Sequence, residues 1–297
     1  LLPEVAEAAG RLILQYSGGA WTRDPDRLAR ADMVEIRLGH AGRVALGRLI
    51  EWRQLPPEAR EAMGLHEEEP ALMEAPVPGA STPQELADLV GTLRHLTGGA
   101  PIGVKLVATH DLEAELDAAL AAGVDVIAVD GAEGGTHVAP PVTADDFGLP
   151  TLHALVRAVR FLERTGARGR VSLIASGGLR TPSEMLKALA LGADAVYVAT
   201  TVMMAATHGQ LGKTVPFEPI TQLAWADGLR AGRYDPELGA RNVANFLRAC
   251  AEELAEAARA LGKTSLRDVG REDLLARTPQ AAVLFGLPPT WRPPGER

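Results

Sequence analysis

Pro101-Ile102-Gly103-Val104-Lys105-Leu106-Val107 and Val124-Asp125-Val126-Ile127-Ala128-Val129 are two short, nearly unbroken apolar runs. Between them lies Asp111 to Ala122, whose Leu112, Leu116, Ala119 and Leu120 recur at helical spacing. A strand without polar alternation, then a helix, then another such strand predicts a parallel sheet buried under helices. The unit repeats downstream. Thr151 to Arg164 places Leu152, Leu155, Val156, Val159 and Leu162 on one helical face. Val171 to Ala175 is the next strand, Ser183 to Leu191 a helix, and Asp194 to Ala199 a further strand. Upstream, Arg11 to Gln15 and Met33 to Leu38 have strand character. About six or seven such strands fall short of the eight of a (β/α)8 barrel. A doubly wound sheet could use the same units, but its GxGxxG fingerprint after the first strand is missing.

Local punctuation agrees with this plan. Thr181-Pro182-Ser183-Glu184 supplies a cap, a proline at the first helical position and a glutamate at the third. Ser81-Thr82-Pro83-Gln84-Glu85 repeats it with Thr82 as the cap. Gly123 and Gly192 suit left-handed caps ahead of a strand. Residues 39–80 read as irregular, with Pro56, Pro57, Pro76 and Pro78 interrupting and one short strand at Met73 to Val77. Pro236 to Leu261 is helical through Val243, Phe246, Leu247, Cys250 and Leu254. Shorter helical pieces follow around Leu266 and Leu274, and the Pro-rich tail from Pro288 is expected to fray. The expected division is a barrel over residues 1–235 and a helical C-terminal extension over 236–297.

Composition narrows the classes. Thirty Lys and Arg against 38 Asp and Glu give a net charge of −8, which argues against a nucleic-acid partner. The single cysteine, Cys250, can form no internal disulfide and no cysteine-held metal centre, and it suits a reducing cytoplasm. The 7 histidines show no HxxxH or HExxH spacing, so no metal site is expected. No run approaches the roughly 20 apolar residues of a membrane span.

Function on a barrel sits in the loops that follow its strands. After Val129 comes Asp130-Gly131-Ala132-Glu133-Gly134-Gly135-Thr136-His137, which packs acids and glycines into one long loop. Glycines let backbone approach a ligand and present bare N–H groups, although a plain flexible turn also needs them. After Ala175 comes Ser176-Gly177-Gly178-Leu179-Arg180, which feeds a helix start and suits a phosphate; a tight turn explains it equally well alone. Val198-Ala199-Thr200-Thr201 can close the other side of that anion. Lys105 lies within an apolar strand, where an ammonium needs an anion unless it reaches solvent from an edge. Gln15 offers a donor and an acceptor to a polar ring edge. Glu35 and Arg37 alternate with Val34, Ile36 and Leu38, a pattern that a half-exposed strand face explains equally well.

On these residues the chain resembles the flavin-binding synthase domain of glutamate synthase, and most of all the stand-alone FMN-binding glutamate synthase family. The likeness runs from about Arg11 to Leu275. It is carried by Gln15–Gly19, Glu35–Gly39, Gly103–Val107, Val129–Thr136 and Ala175–Gly178, with Val129–Thr136 the most specific. Phe217 to Asp227 and Ala260 to Leu266 resemble one branch of the family. The resemblance implies a (β/α)8 TIM barrel holding FMN at its C-terminal face. It implies cofactor contacts at Gln15, Ser17, Lys105, Asp130, Gly134, Gly135, Thr136, Ser176, Gly177, Gly178, Ala199 and Thr200. It further implies Lys105 and Glu133 as catalytic groups. The implied reaction reduces 2-iminoglutarate, formed from 2-oxoglutarate and ammonia, to glutamate.

The chain also departs from the family. Thr201 to Gln210 carries none of the three cysteines that hold a 3Fe-4S cluster there, so no iron–sulfur cluster and a separate electron donor are expected. It has no glutaminase cysteine. The chain begins Leu1-Leu2-Pro3, and the family has more sequence ahead of the segment matching Gln15. The barrel is therefore expected to lack its first strands here, leaving an open edge, exposed apolar surface or a partner; a homo-oligomer is one possibility. Two other readings remain: a flavin barrel acting on a different small substrate, and a non-catalytic degenerate domain.

Overall fold

The computed structural model describes residues 3–41, 47–135, 139–210, 220–224 and 228–291. Among them run β1 (Ile13–Tyr16), β2 (Met33–Arg37), β3 (Arg48–Ile50), β4 (Ala71–Met73), β5 (Ile102–Val107), β6 (Val126–Asp130), β7 (Ser172–Ser176) and β8 (Ala195–Tyr197). Six of these form one all-parallel sheet in the order β1-β2-β5-β6-β7-β8. Helices Pro83–Leu96, Leu112–Ala121, Thr151–Arg164 and Pro182–Ala190 precede β5, β6, β7 and β8 in turn. A sheet whose spatial order follows the chain, with a helix between neighbouring strands, is the (β/α)-barrel repeat. Six strands make an open arc of that barrel: no pairing joins β8 to β1 among the described residues. Ile13, on the free β1 edge, is 52% exposed.

Register sorts the side chains into two faces, because ladder partners point the same way and neighbours along a strand point oppositely. One face carries Val34 and Ile36, Ile102, Val104 and Leu106, Ile127 and Val129, and Leu173 and Ala175, all buried. These pack with Leu86, Val90 and Leu93, Leu112 and Leu116, Leu155, Val159 and Leu162, and Met185 from the four helices. Burying each such side chain stabilises the fold by about 1.5–3 kcal/mol. The other face holds Gln15, Glu35, Arg37, Lys105, Asp130, Ser176 and Tyr197, in register rows Gln15–Glu35–Gly103, Arg37–Lys105–Ala128 and Val107–Asp130–Ser176–Tyr197. The apolar face determines the fold, and the polar face is left for chemistry.

The helix starts follow their local chemistry. Thr82 Oγ1 accepts the N–H of Glu85, and Thr181 with Glu184 forms a reciprocal capping box. Gly123 and Gly192 take φ of +76° and +113°, as expected of left-handed caps. The expected helix Pro236 to Leu261 occupies Pro236–Ala260 and packs on Thr200–Ala206 and on Pro182–Ala190. The segment expected to be irregular contains helix Pro57–Met63 and the antiparallel ribbon of β3 and β4. The short strand expected at Met73 to Val77 is not formed: β4 ends at Met73, shares only that residue with the expected range, and lies outside the parallel sheet. Strands of three residues carry no legible period, so only tertiary pairing reveals them. The long loop after β6 likewise contains a 3-10 turn, Ala132–Gly134, and helix Pro141–Asp146. A further short helix, Pro279–Phe285, follows the two pieces expected near Leu266 and Leu274. Thr136, most of Phe217 to Asp227 and the end of the Pro-rich tail lie outside the described residues. No helix among the described residues is long and apolar enough to cross a membrane.

Candidate active site

Asp130 ends β6 with a side chain 1% exposed. Its Oδ1 accepts the Ser176 hydroxyl at 2.6 Å. Its Oδ2 accepts the Ala41 N–H at 3.0 Å, and Lys105 Nζ stands 3.7 Å from the same atom. His40 Nδ1 lies 2.8 Å from Oδ2. Burial raises the Asp130 carboxyl. The His40 ring, the Lys105 ammonium, the Ser176 hydroxyl and the Ala41 N–H together outweigh it and hold the group below the usual carboxylate range. Asp130 thus ties the ends of β5, β6 and β7 to the segment after β2.

Lys105 is 12% exposed on the same face, with Nζ 5.8 Å from the centre of the Tyr197 ring, within cation–π range. It faces the arc's interior and not a solvent edge. Glu35, left open by the alternation of its strand, is buried there, and its Oε1 accepts Gln15 Nε2 at 2.8 Å. Burial, and then the neighbouring Glu35 charge, push the Tyr197 phenol well above its ordinary range. Gln15, Glu35, Lys105, Asp130 and Tyr197 therefore belong to one polar inner surface.

The glycine loops after β6 and β7 interlock. Gly131 N–H donates to the Ser176 carbonyl at 2.9 Å, and a Cβ on Gly131 would meet Thr151 Oγ1 at 2.1 Å. Gly177 has a φ of +112°, and a Cβ there would meet Thr151 Oγ1 at 2.6 Å and the Gly134 nitrogen at 2.9 Å. Gly177→Ala should therefore cost about 2 kcal/mol more than Gly169→Ala. Gly169 also has positive φ but open space around its Cβ direction. Urea midpoints of the two variants measure the difference, and equal losses would mean that the loops do not interlock.

Glu133 holds the seam from outside. Its Oε2 lies 2.7 Å from both the N–H and the hydroxyl of Thr151, which opens helix Thr151–Arg164. That oxygen caps a helix, a structural duty beside the acid–base role the resemblance implies. Ser17 is similarly engaged: its N–H donates to Thr22 Oγ1 at 3.0 Å, and its hydroxyl lies 3.1 Å from the same atom.

Ser176–Gly178 and Ala199–Thr200 follow neighbouring strands, since β7 and β8 pair through Ser176 and Tyr197. Thr201 Oγ1 donates to the Arg180 carbonyl at 3.0 Å and joins the two segments. The helix start next to them is capped by its own residues. Arg180 and Thr181 N–H groups donate to Glu184 Oε2 at 2.7 and 3.1 Å. An anion here would meet glycine backbone and the Ala199–Thr200 turn beside that capped helix start.

Sequence reasoning did not reach His40, Thr151 or Tyr197. Tyr197 stood in a run read as uniformly apolar, and its clue was its place in register beyond Lys105. The β3–β4 ribbon reaches the site through Glu74 N–H to the Gly18 carbonyl at 3.0 Å. Beside that contact lies a cavity of about 60 Å³ lined in part by Gly18, Arg37, His40, Met73 and Glu74.

An arc of parallel strands with helices outside and charged groups gathered toward the C-terminal strand ends defines a (β/α)-barrel domain with its site where such barrels react. Residues 1–264 match the family model described as the conserved region in glutamate synthase, and this chain belongs to the glutamate synthase family. It is 32% identical over 274 residues to the archaeal glutamate synthase [NADPH] of Methanocaldococcus jannaschii, covering 90% of this chain and 53% of that protein. A glutamate synthase large subunit-like protein of Rhizobium meliloti is 30% identical over 296 residues, covering 93% and 66%. The chain thus spans about half the length of the first of these relatives. Among solved structures, a flavocytochrome b2 mutant with pyruvate bound matches with a TM-score of 0.55 at 17% identity, over 91% of this chain and 56% of that one. That likeness concerns the fold alone.

Proposed function

We propose that this chain is the FMN-binding synthase part of a glutamate synthase-type oxidoreductase, which reduces 2-iminoglutarate, formed from 2-oxoglutarate and ammonia, to glutamate. The observation that supports it best is the inner face itself. A lysine, two buried carboxylates and a tyrosine share this face beside two glycine loops whose Cβ positions are blocked. The donor set fits a flavin phosphate. Lys105 and Gln15 can meet the polar ring edge, and Gly177, Gly178, Ala199 and Thr200 can hold the phosphate, with Ser176 fixed by Asp130. Gly134, Gly135 and Thr136 belong to the loop expected to line the pocket. When bound, FMN supplies the two-electron hydride chemistry.

The chain's own groups do the rest. Asp130 holds Lys105 on the inner face, and the ammonium offsets negative charge that builds on the ring. Glu133, exposed at the rim, would exchange a proton with substrate through the oxygen not bound to Thr151. The curated relatives carry NADPH in their names; with one cysteine, this chain offers no three-cysteine cluster site, so electrons are proposed to arrive from a separate donor.

Two measurements test this reading. Purified protein mixed with FMN should shift and quench the flavin spectra on binding. Photoreduced, anaerobic holoprotein should then be reoxidised by 2-oxoglutarate plus ammonia and not by either alone. Absence of any spectral change refutes the flavin assignment. Binding without reoxidation refutes the substrate and moves the reading to a flavin barrel with another small acceptor.

A further inference from the structure

Glu35 is 5% exposed on the inner face of β2, in register with Gln15 and Gly103. Its Oε1 accepts the Gln15 amide at 2.8 Å. Among the described residues, its Oε2 is buried without a hydrogen-bond donor. A buried acceptor with no donor costs folding free energy, and native proteins leave few of them without a reason. Tyr197 is a neighbour of this carboxylate, since burial first, then the Glu35 charge and a hydrogen bond to the Glu35 side chain push its phenol up, while Oε2 itself has no partner of directed geometry. The residues around Glu35 on this face are donors: Gln15 beside it and Lys105 one row further along the strands.

An acceptor flanked by donors is the complement of a donor flanked by acceptors. The oxidised flavin ring carries such an edge, with a single ring N–H (at N3) between two carbonyl oxygens. We propose that Glu35 Oε2 is the acceptor for that ring N–H, with Gln15 and Lys105 serving the carbonyls on either side. The assignment rests on the flavin reading above. It explains why the fold keeps an unpaired carboxylate oxygen inside: the donor arrives with the ligand. It also makes Glu35 a selector of the dioxopyrimidine edge against ring systems that lack this N–H.

The test is a binding cycle that needs no turnover. Dissociation constants for FMN and for its N3-methyl derivative are measured by fluorescence quenching with wild type, Glu35→Ala and Glu35→Gln. Methylation should weaken binding to the wild type by tenfold or more. In Glu35→Ala, FMN itself should bind about tenfold more weakly, and methylation should add little further loss. Glu35→Gln keeps an oxygen acceptor and should bind FMN within a few-fold of wild type while retaining the methylation penalty; it also covers the case in which Glu35→Ala does not fold. An equal methylation penalty in wild type and Glu35→Ala, or no penalty in wild type and Glu35→Gln, overturns the proposal while leaving the flavin reading intact. A wild type that binds neither flavin overturns both.

Discussion

Asp130→Ala should lower the folding free energy by about 3–5 kcal/mol, the usual cost of removing one partner from a buried ion pair. The side chain is 1% exposed and collects Lys105, His40, Ser176 and Ala41 on two oxygens. Its removal leaves the Lys105 ammonium, 12% exposed, without its carboxylate. Urea denaturation of flavin-free protein measures the loss; a change under 1 kcal/mol would show that these contacts carry little energy. The pH dependence has a definite sign. The folded carboxyl titrates below the unfolded value of about 3.9, so the unfolded chain binds the proton more readily. Asp130's contribution is therefore complete above about pH 4 and is lost as the pH falls through the folded value. Wild type and Asp130→Ala should differ most near neutrality and converge in acid. A gap that widens as the pH falls would contradict the lowered carboxyl.

Lys105→Ala should slow reduction of bound flavin by about 10²–10³-fold, the typical cost of losing one preorganised charge-stabilising group. The lysine is held from two sides, by Asp130 Oδ2 at 3.7 Å and by the face of Tyr197 at 5.8 Å. Its charge is thus fixed in place before any ligand binds, and no reorganisation is needed when negative charge develops. Asp130 keeps Ser176, Ala41 and His40 in this variant, so the loss should fall on flavin affinity and reduction rate more than on stability. Stopped-flow reduction and flavin retention on gel filtration read it. Unchanged spectra and rates would remove Lys105 from the site.

The two predictions concern neighbouring rows of the sheet that were only half legible in the linear chain. Lys105 stood out because a charge inside Val104-Lys105-Leu106 has no solvent to go to. Asp130 stood out as the polar end of an apolar run. Glu35 and Arg37 did not stand out, because alternation in Val34 to Leu38 fits a wet face as well as a polar interior. The β3–β4 ribbon was missed for a related reason: its pairing is long-range, and three residues show no period.

By itself the sequence determined the class of the fold. Apolar runs at Ile102–Val107, Val126–Asp130 and Ser172–Ser176, separated by amphipathic segments with Thr82 and Thr181 caps, have few ways to bury their side chains other than a parallel sheet under helices. Motif likeness extended that to the family. What only the tertiary structure decided was which polar groups meet. Parallel register set Val107, Asp130, Ser176 and Tyr197 in one row, and the turn after β2 brought His40 and Ala41 against Asp130. The same packing assigned Glu133 to the start of the Thr151 helix and left Glu35 with one unpaired oxygen. Hydrophobic periodicity is a local property of the chain, whereas a hydrogen bond between residues 89 apart, as from Ala41 to Asp130, exists only once the strands are aligned.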